Sequence, residues 1–173
     1  MFQFSCYNQL LSKNTNMEVC CSFKTLVGGL CSFDRRDKKQ STEIVPLLSC
    51  SKSISNHKSL WNFQDVDNEV ELILARAAVF SIQESVQTMT ICPSHRSSLG
   101  IGWTRGTDRC RVPYEISKHK NIRGKCPKAD RGISKLFSHV IWNKTGLLVS
   151  VGSGKSNDQH FHLCSSYVNI YII

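Results

Sequence analysis

Cys92 and His95 offer a thiol and an imidazole three positions apart, the sharpest local chemistry in the chain. Two ligands separated by two residues can grip one ion when a tight turn points both side chains inward. Zn²⁺ takes four such nitrogen or sulfur ligands in a tetrahedron. Cys110 is the natural third ligand. For the fourth, His119, Cys126, His139 and Cys164 all stand at workable distances in sequence, and spacing does not choose among them. The expected set is Cys92, His95, Cys110 and Cys126, holding Zn²⁺. The competing reading is a buried structural cysteine beside an ordinary surface histidine. His160 and His162 lie two apart near the C-terminus, where a solvated tail is the simpler expectation.

Charge is the second signal. The chain carries a formal net charge of +9. Between Cys92 and Lys135 eleven cations face three acids, Asp108, Glu115 and Asp130. Such a concentration attracts phosphate or another acidic partner, although a solvated basic face has the same composition. Arg96, Trp103, Arg105, Arg109, Arg111, Lys118, Lys120 and Arg123 form the candidate nucleic-acid-binding set. Cations interleaved with an aromatic ring can contact phosphates and stack on bases. No recognised nucleic-acid-binding signature accompanies them.

Other chemistries find less support. Gly152-Ser153-Gly154-Lys155-Ser156 resembles part of a phosphate loop, but the required earlier glycine is Val149. A cysteine nucleophile would need a histidine base, and only proximity in sequence links any such pair. No paired carboxylates stand out. The expectation is a binding protein rather than an enzyme, without a small-molecule substrate.

Nine cysteines is a high and odd number. The N-terminus lacks the basic start and apolar run of a signal peptide, and no apolar run is long enough to span a membrane. An intracellular location, nucleus or cytoplasm, is expected, where thiols grouped with histidine serve as metal ligands or buried residues. Cys21-Ser22-Phe23 and Cys31-Ser32-Phe33 recur ten residues apart, too short a unit for a repeat architecture.

These residues need elements to hold them. Asn68 followed by Glu71 makes a capping pattern, and Val70, Ile73, Leu74, Ala77 and Phe80 form an apolar stripe at helical spacing. A helix is expected over 68–86. Short strands are expected at 88–91, 99–103, 109–112 and 146–151, with further pieces at 23–27 and 43–48 and a short helix at 133–141. The fold class is α+β. Residues 1–60 read as weakly ordered, 61–154 as a basic Cys/His module and 155–173 as a tail.

Thr90 through His95-Arg96, Leu99-Gly100-Ile101-Gly102-Trp103-Thr104-Arg105-Gly106 and Arg109-Cys110-Arg111-Val112-Pro113 together resemble a group of invertebrate, largely cnidarian, Cys/His-containing proteins. The likeness continues through Pro127 to Gly132 and on to Val151-Gly152-Ser153-Gly154, so it covers roughly residues 65–154. It implies a module boundary and brings no activity with it. In that group the Gly-Ser-Gly is followed by a Cys-x2-Cys pair, where this chain has Lys155-Ser156. Gly-Lys-Ser can be encoded by GGTAAGT, which contains a splice-donor consensus. Residues from about 155 onward are therefore expected to be intron read-through, which transcript sequencing tests.

The resulting expectation is a zinc-stabilised module that binds an acidic partner such as nucleic acid or an acidic protein. The alternative is an interaction protein that docks through helix 68–86 without a metal.

Overall fold

Asn68 starts the central helix as its sequence suggests. Its Oδ1 accepts from the Glu71 backbone N–H at 2.9 Å, while Glu71 Oε2 accepts from Asp67 N–H at 2.8 Å. Two of the donors left unpaired at a helix start are thereby satisfied. The computed structural model describes residues 20–32, 43–81, 83–117 and 126–156. In chain order the elements are α1 (Phe23–Val27), β1 (Val45–Pro46), α2 (Ser55–Trp61), α3 (Glu69–Arg76), β2 (Thr90–Ile91), α4 (Pro93–Leu99), α5 (Tyr114–Ser117), β3 (Arg131–Gly132), α6 (Lys135–Thr145) and β4 (Gly154–Lys155). Single 3₁₀ turns lie at Leu47–Ser49 and Glu84–Thr88. The chain is a small α+β module.

The helix expected to reach Val86 ends ten residues earlier. Ala78 adopts the left-handed conformation at φ 61°. Val79 N–H then bonds Leu74 O, and Ala78 N–H bonds Ala75 O. That is the Schellman stop, with alanine where glycine is usual. The apolar stripe persists beyond it because Val79 and Phe80 pack on different clusters, not because the helix continues.

Both strand pairs are antiparallel and two residues long. β1 meets β2 as Val45↔Ile91 and Pro46↔Thr90, and β3 meets β4 as Arg131↔Lys155 and Gly132↔Gly154. Four other expectations change. Residues 23–27 are helical. Residues 99–103 finish α4 and turn, with Gly100 N–H on Arg96 O and Trp103 N–H on Gly100 O. Arg109 makes one bridge to Lys128 rather than a strand. Residues 146–151 pair with no strand, and the Gly-Ser-Gly that follows leads into β4. The helix expected at 133–141 is α6, its N-terminal amides held by Ser134 Oγ and the Asp65 carboxylate.

Three apolar clusters make the core, and α3 borders two of them. Ile73 and Leu74 face Phe23, Leu47, Ile91 and Cys92. Leu72 and Ala75 face Ile54, Phe63, Val66 and Val151. Cys110, Val112, Ile133, Phe137 and Ile141 form the third. Each fully buried aliphatic or phenyl side chain contributes roughly 1.5–3 kcal/mol. Phe23, Leu47 and Ile54 belong to this core, so the packed unit begins well before residue 61. Lys155 and buried Ser156 extend it past residue 154.

Two buried charges lock the helices together. Arg76 donates to Val151 O, Leu99 O, Gly100 O and His57 Nε2, with its guanidinium 4.2 Å from the Trp103 ring centroid. Glu69 accepts two bonds from Arg96, at 2.8 and 2.7 Å, and one from Lys52 N–H. Among the described residues, no helix is long and apolar enough to cross a membrane.

Candidate metal centre

Cys92 is the N-cap of α4, with Pro93 at the first helical position. Proline suits that position because its missing N–H has no helical partner there. His95 is then the third helical residue, and its backbone N–H donates to Cys92 Sγ at 3.4 Å. The x2 spacing therefore works through a helix cap rather than a tight turn. It brings Cys92 Sγ within 3.1 Å of His95 Nδ1.

The other two members come from the N-terminal segment. Cys21 Sγ lies 3.2 Å and Cys31 Sγ 3.9 Å from His95 Nδ1, and the two sulfurs are 3.7 Å apart. All four ligand atoms lie within 4.8 Å of one another. A tetrahedral ion with bonds of about 2.3 Å has edges of about 3.8 Å, so separations of 3.1–3.9 Å are compatible with a metal held by this donor set.

A short chain segment folds to make this possible. Ser22 N–H bonds Thr90 O, Thr90 N–H bonds Ser22 Oγ, and Ser94 N–H bonds Ser32 O. These bonds moor the segment to β2 and α4 at both ends. Between them Gly28 and Gly29 turn the chain at φ 72° and 86°. Gly28 pairs that φ with ψ −163°, a conformation open essentially to glycine alone. The turn delivers Gly28 O to His95 Nε2 at 2.8 Å. Nε2 must therefore carry the proton, and the Nδ1 lone pair faces the three sulfurs. Metal-ligating histidines are characteristically oriented in this way.

The thiols sit in unequal fields. Burial pushes Cys92 up, but the backbone N–H groups of His95 and Ser32 and the imidazole outweigh it and bring the thiol below its usual range. Burial dominates at Cys21 and raises it. Cys21 N–H donates to Cys31 Sγ at 3.3 Å. Cys21, Cys92 and His95 are buried and Cys31 is half-buried. Cys92 and His95 are also close enough for a nucleophile and its base. Yet neither lines the cavity described below, and two further thiols crowd the imidazole.

Of the four metal ligands expected from sequence, the structure brings Cys92 and His95 together with Cys21 and Cys31, and places Cys110 and Cys126 elsewhere. Cys110 is packed among Val112, Ile133, Phe137 and Ile141, with Cys126 against the same cluster. Both also line the cavity described below. His139 instead stacks on Phe80 at 4.5 Å. His119, His160, His162 and Cys164 lie outside the described residues. The repeated Cys-Ser-Phe was the available pointer to Cys21 and Cys31.

The basic set divides as sharply. Arg96 is committed to Glu69, and Trp103 lies under Arg76 and edge-on to Trp61. Arg105 donates to Gly152 O and Trp61 O. These three are part of the fold rather than a free nucleic-acid surface. Arg109 and Arg111 are exposed, Arg109 donating to Cys126 O with Asp108 nearby. Lys118, Lys120 and Arg123 lie outside the described residues.

No protein-family model, curated protein or solved structure matches the chain, so the case for a metal stands on the geometry of these four side chains.

Proposed function

We propose that the protein is a zinc-stabilised binding module whose partner is acidic. The carrying observation is the convergence of Cys21, Cys31 and Cys92 Sγ with His95 Nδ1, whose tautomer is set by Gly28 O. Three thiols and one imidazole are a common structural zinc set, and four protein ligands leave no coordination position open for a substrate. The ion ties the segment around α1 to the start of α4. Free energies of roughly 10 kcal/mol or more accompany structural zinc binding, comparable to the whole stability of a domain. A zinc–thiolate site also needs reduced thiols, which suits the nucleus or cytoplasm.

The binding half rests on charge. Arg109 and Arg111 are exposed, and Lys118, Lys120, Arg123 and Lys125 follow within a short stretch of sequence. Docking through helix 68–86 is less favoured, because Leu72, Ile73, Leu74, Ala75 and Arg76 of α3 are all buried.

Elemental analysis of purified protein tests the metal. One zinc per chain is expected, released by a thiol-modifying reagent. It should be lost in Cys31→Ser and Cys92→Ser and kept in Cys110→Ser. A parent that stays metal-free after incubation with zinc sinks the proposal, as does equal loss in Cys110→Ser.

A further inference from the structure

A cavity of about 820 Å³ is bordered by Trp103, Arg111, Val112, Tyr114 and residues 147–150, and none of the thiol cluster lines it. Its apolar wall is open to solvent: Leu147 is 56% and Tyr114 60% exposed. Residues 147–150 line it consecutively yet belong to neither strand pair. Four consecutive residues in one wall bring their backbone as well as their side chains to the cavity. Leu147 N–H bonds Thr145 Oγ, Val149 O accepts from Ser138 Oγ, and Ser150 O accepts from Ser153 N–H. The N–H groups of Leu148, Val149 and Ser150 and the carbonyls of Leu147 and Leu148 hold no hydrogen bond among the described residues. An unpaired chain edge beside an apolar wall is the recognition surface used in strand addition.

The charge around this edge specifies what would pair with it. Among the described residues, Arg105 and Arg111 line the cavity with one acid, Glu115. Arg105 already serves two carbonyls, so Arg111 is the cation available to an incoming group.

We propose that this groove binds an extended acidic peptide segment of a partner protein, which adds as a strand along Leu147–Ser150 with carboxylates on Arg111. The proposal rests on the binding-module reading and narrows its acidic partner to a peptide. Peptide is favoured over nucleic acid because the free groups are backbone donors and acceptors beside leucines. Of the two rings that line the cavity, Trp103 has a face covered by Arg76 and Tyr114 is the exposed one. Main-chain hydrogen bonds would supply affinity, and the cations orientation and on-rate.

Panning a phage library of random twelve-residue peptides on the full-length, zinc-loaded chain tests this. Arg111→Glu and Leu147→Asp serve as counter-selections, since both side chains are exposed and outside the core. Enriched peptides should alternate acidic and apolar residues and bind the parent at least tenfold more tightly than either variant. N-methylation of alternate peptide amides should cost at least tenfold as well. Absence of enrichment on the parent, enriched peptides lacking acids, or equal binding to Arg111→Glu overturns the proposal. So does slow hydrogen exchange at Leu148 and Val149 in the free chain, which would mean that the chain itself fills the edge. Zinc content, measured on every sample, keeps the two proposals apart. A zinc-loaded parent without peptide binding sinks the groove alone, and a peptide-binding parent without zinc sinks the metal alone.

Discussion

Around α4 the polar groups converge, and around the cavity they face outward. On the α4 side, three sulfurs meet one imidazole nitrogen, and the next residue, Arg96, closes on buried Glu69. On the cavity side, Cys110 is buried against aliphatic and phenyl side chains while Arg111, the following residue, is exposed. Both regions contain a cysteine next to, or close to, an arginine. The difference is what the neighbouring chain contributes. The α4 cysteine meets a second segment, residues 21–32, with its own two thiols and a carbonyl for the histidine. Cys110 meets Ile133, Phe137 and Ile141. A ligand set is made by converging lone pairs, and sequence proximity alone does not supply convergence.

The comparison breaks most directly at the metal. If zinc holds only the α4 side, a chelator should produce the largest stability loss of any single perturbation, on the order of 10 kcal/mol. Thermal unfolding with and without chelator measures it. Hydrogen exchange should locate the first loss of protection at residues 20–32 and 92–96, with α6 and the Ile133 cluster affected less. Uniform loss, or no loss, would erase the distinction between the two regions.

Next in size is the ion pair behind His95. Glu69 is essentially fully buried and receives two bonds from Arg96 and one from Lys52 N–H. Glu69→Ala leaves the guanidinium and an amide without their acceptor, which costs about 3–5 kcal/mol for a buried pair. Because Arg96 adjoins His95, zinc affinity should fall along with stability. Denaturant unfolding and a competitive zinc titration read the two effects. A loss of stability with unchanged zinc affinity would separate the salt bridge from the metal centre.

A third test turns on pH. Burial, and then the positive charge of Arg76, pull His57 from 6.5 down to about 4. The folded state therefore resists a proton that the unfolded chain accepts below pH 6.5. This contribution is fully present above pH 6.5 and is lost as pH falls toward 4, by about 2–3 kcal/mol. Acid would also protonate the thiols of the proposed zinc site, so the parent is compared with His57→Gln, which cannot titrate there. The variant should show a shallower fall between pH 6.5 and 4 in denaturant unfolding. Identical slopes would assign the acid sensitivity to the metal side entirely.

The start of α3, the short helix near residue 133 and the Cys92/His95 pair were legible because each depends on local chemistry. A cap, an apolar stripe and a fixed spacing act within a few residues. Cys21 and Cys31 were not legible, since their partners lie some sixty or seventy positions away and only the repeated Cys-Ser-Phe marked them. Residues 1–60 looked loosely ordered because the elements described within them are brief, so Phe23, Leu47 and Ile54 show no period although all three are buried. Arg96, Trp103 and Arg105 had the composition of a binding surface. Internal acceptors, namely a carboxylate on α3 and the carbonyls of Trp61 and Gly152, claimed the two arginines, and Arg76 covered the tryptophan.

The smallest effect concerns α3, the wall shared by the metal-side core and the Val151 cluster. Ala78 ends it with φ 61°, a left-handed conformation that costs an L-residue with a Cβ roughly 1–2 kcal/mol. Glycine escapes that cost but surrenders more chain entropy on folding, which offsets part of the gain. Ala78→Gly should therefore stabilise the protein by about 0.5–1 kcal/mol, a rise of a few degrees in Tm. Because Ile73 and Leu74 face one core and Leu72 and Ala75 the other, both regions should gain. Exchange protection should rise at Phe23 on the metal side and at Val66 and Val151 on the other. A gain confined to the metal side would mean that α3 couples to the thiol segment more strongly than to the rest of the fold.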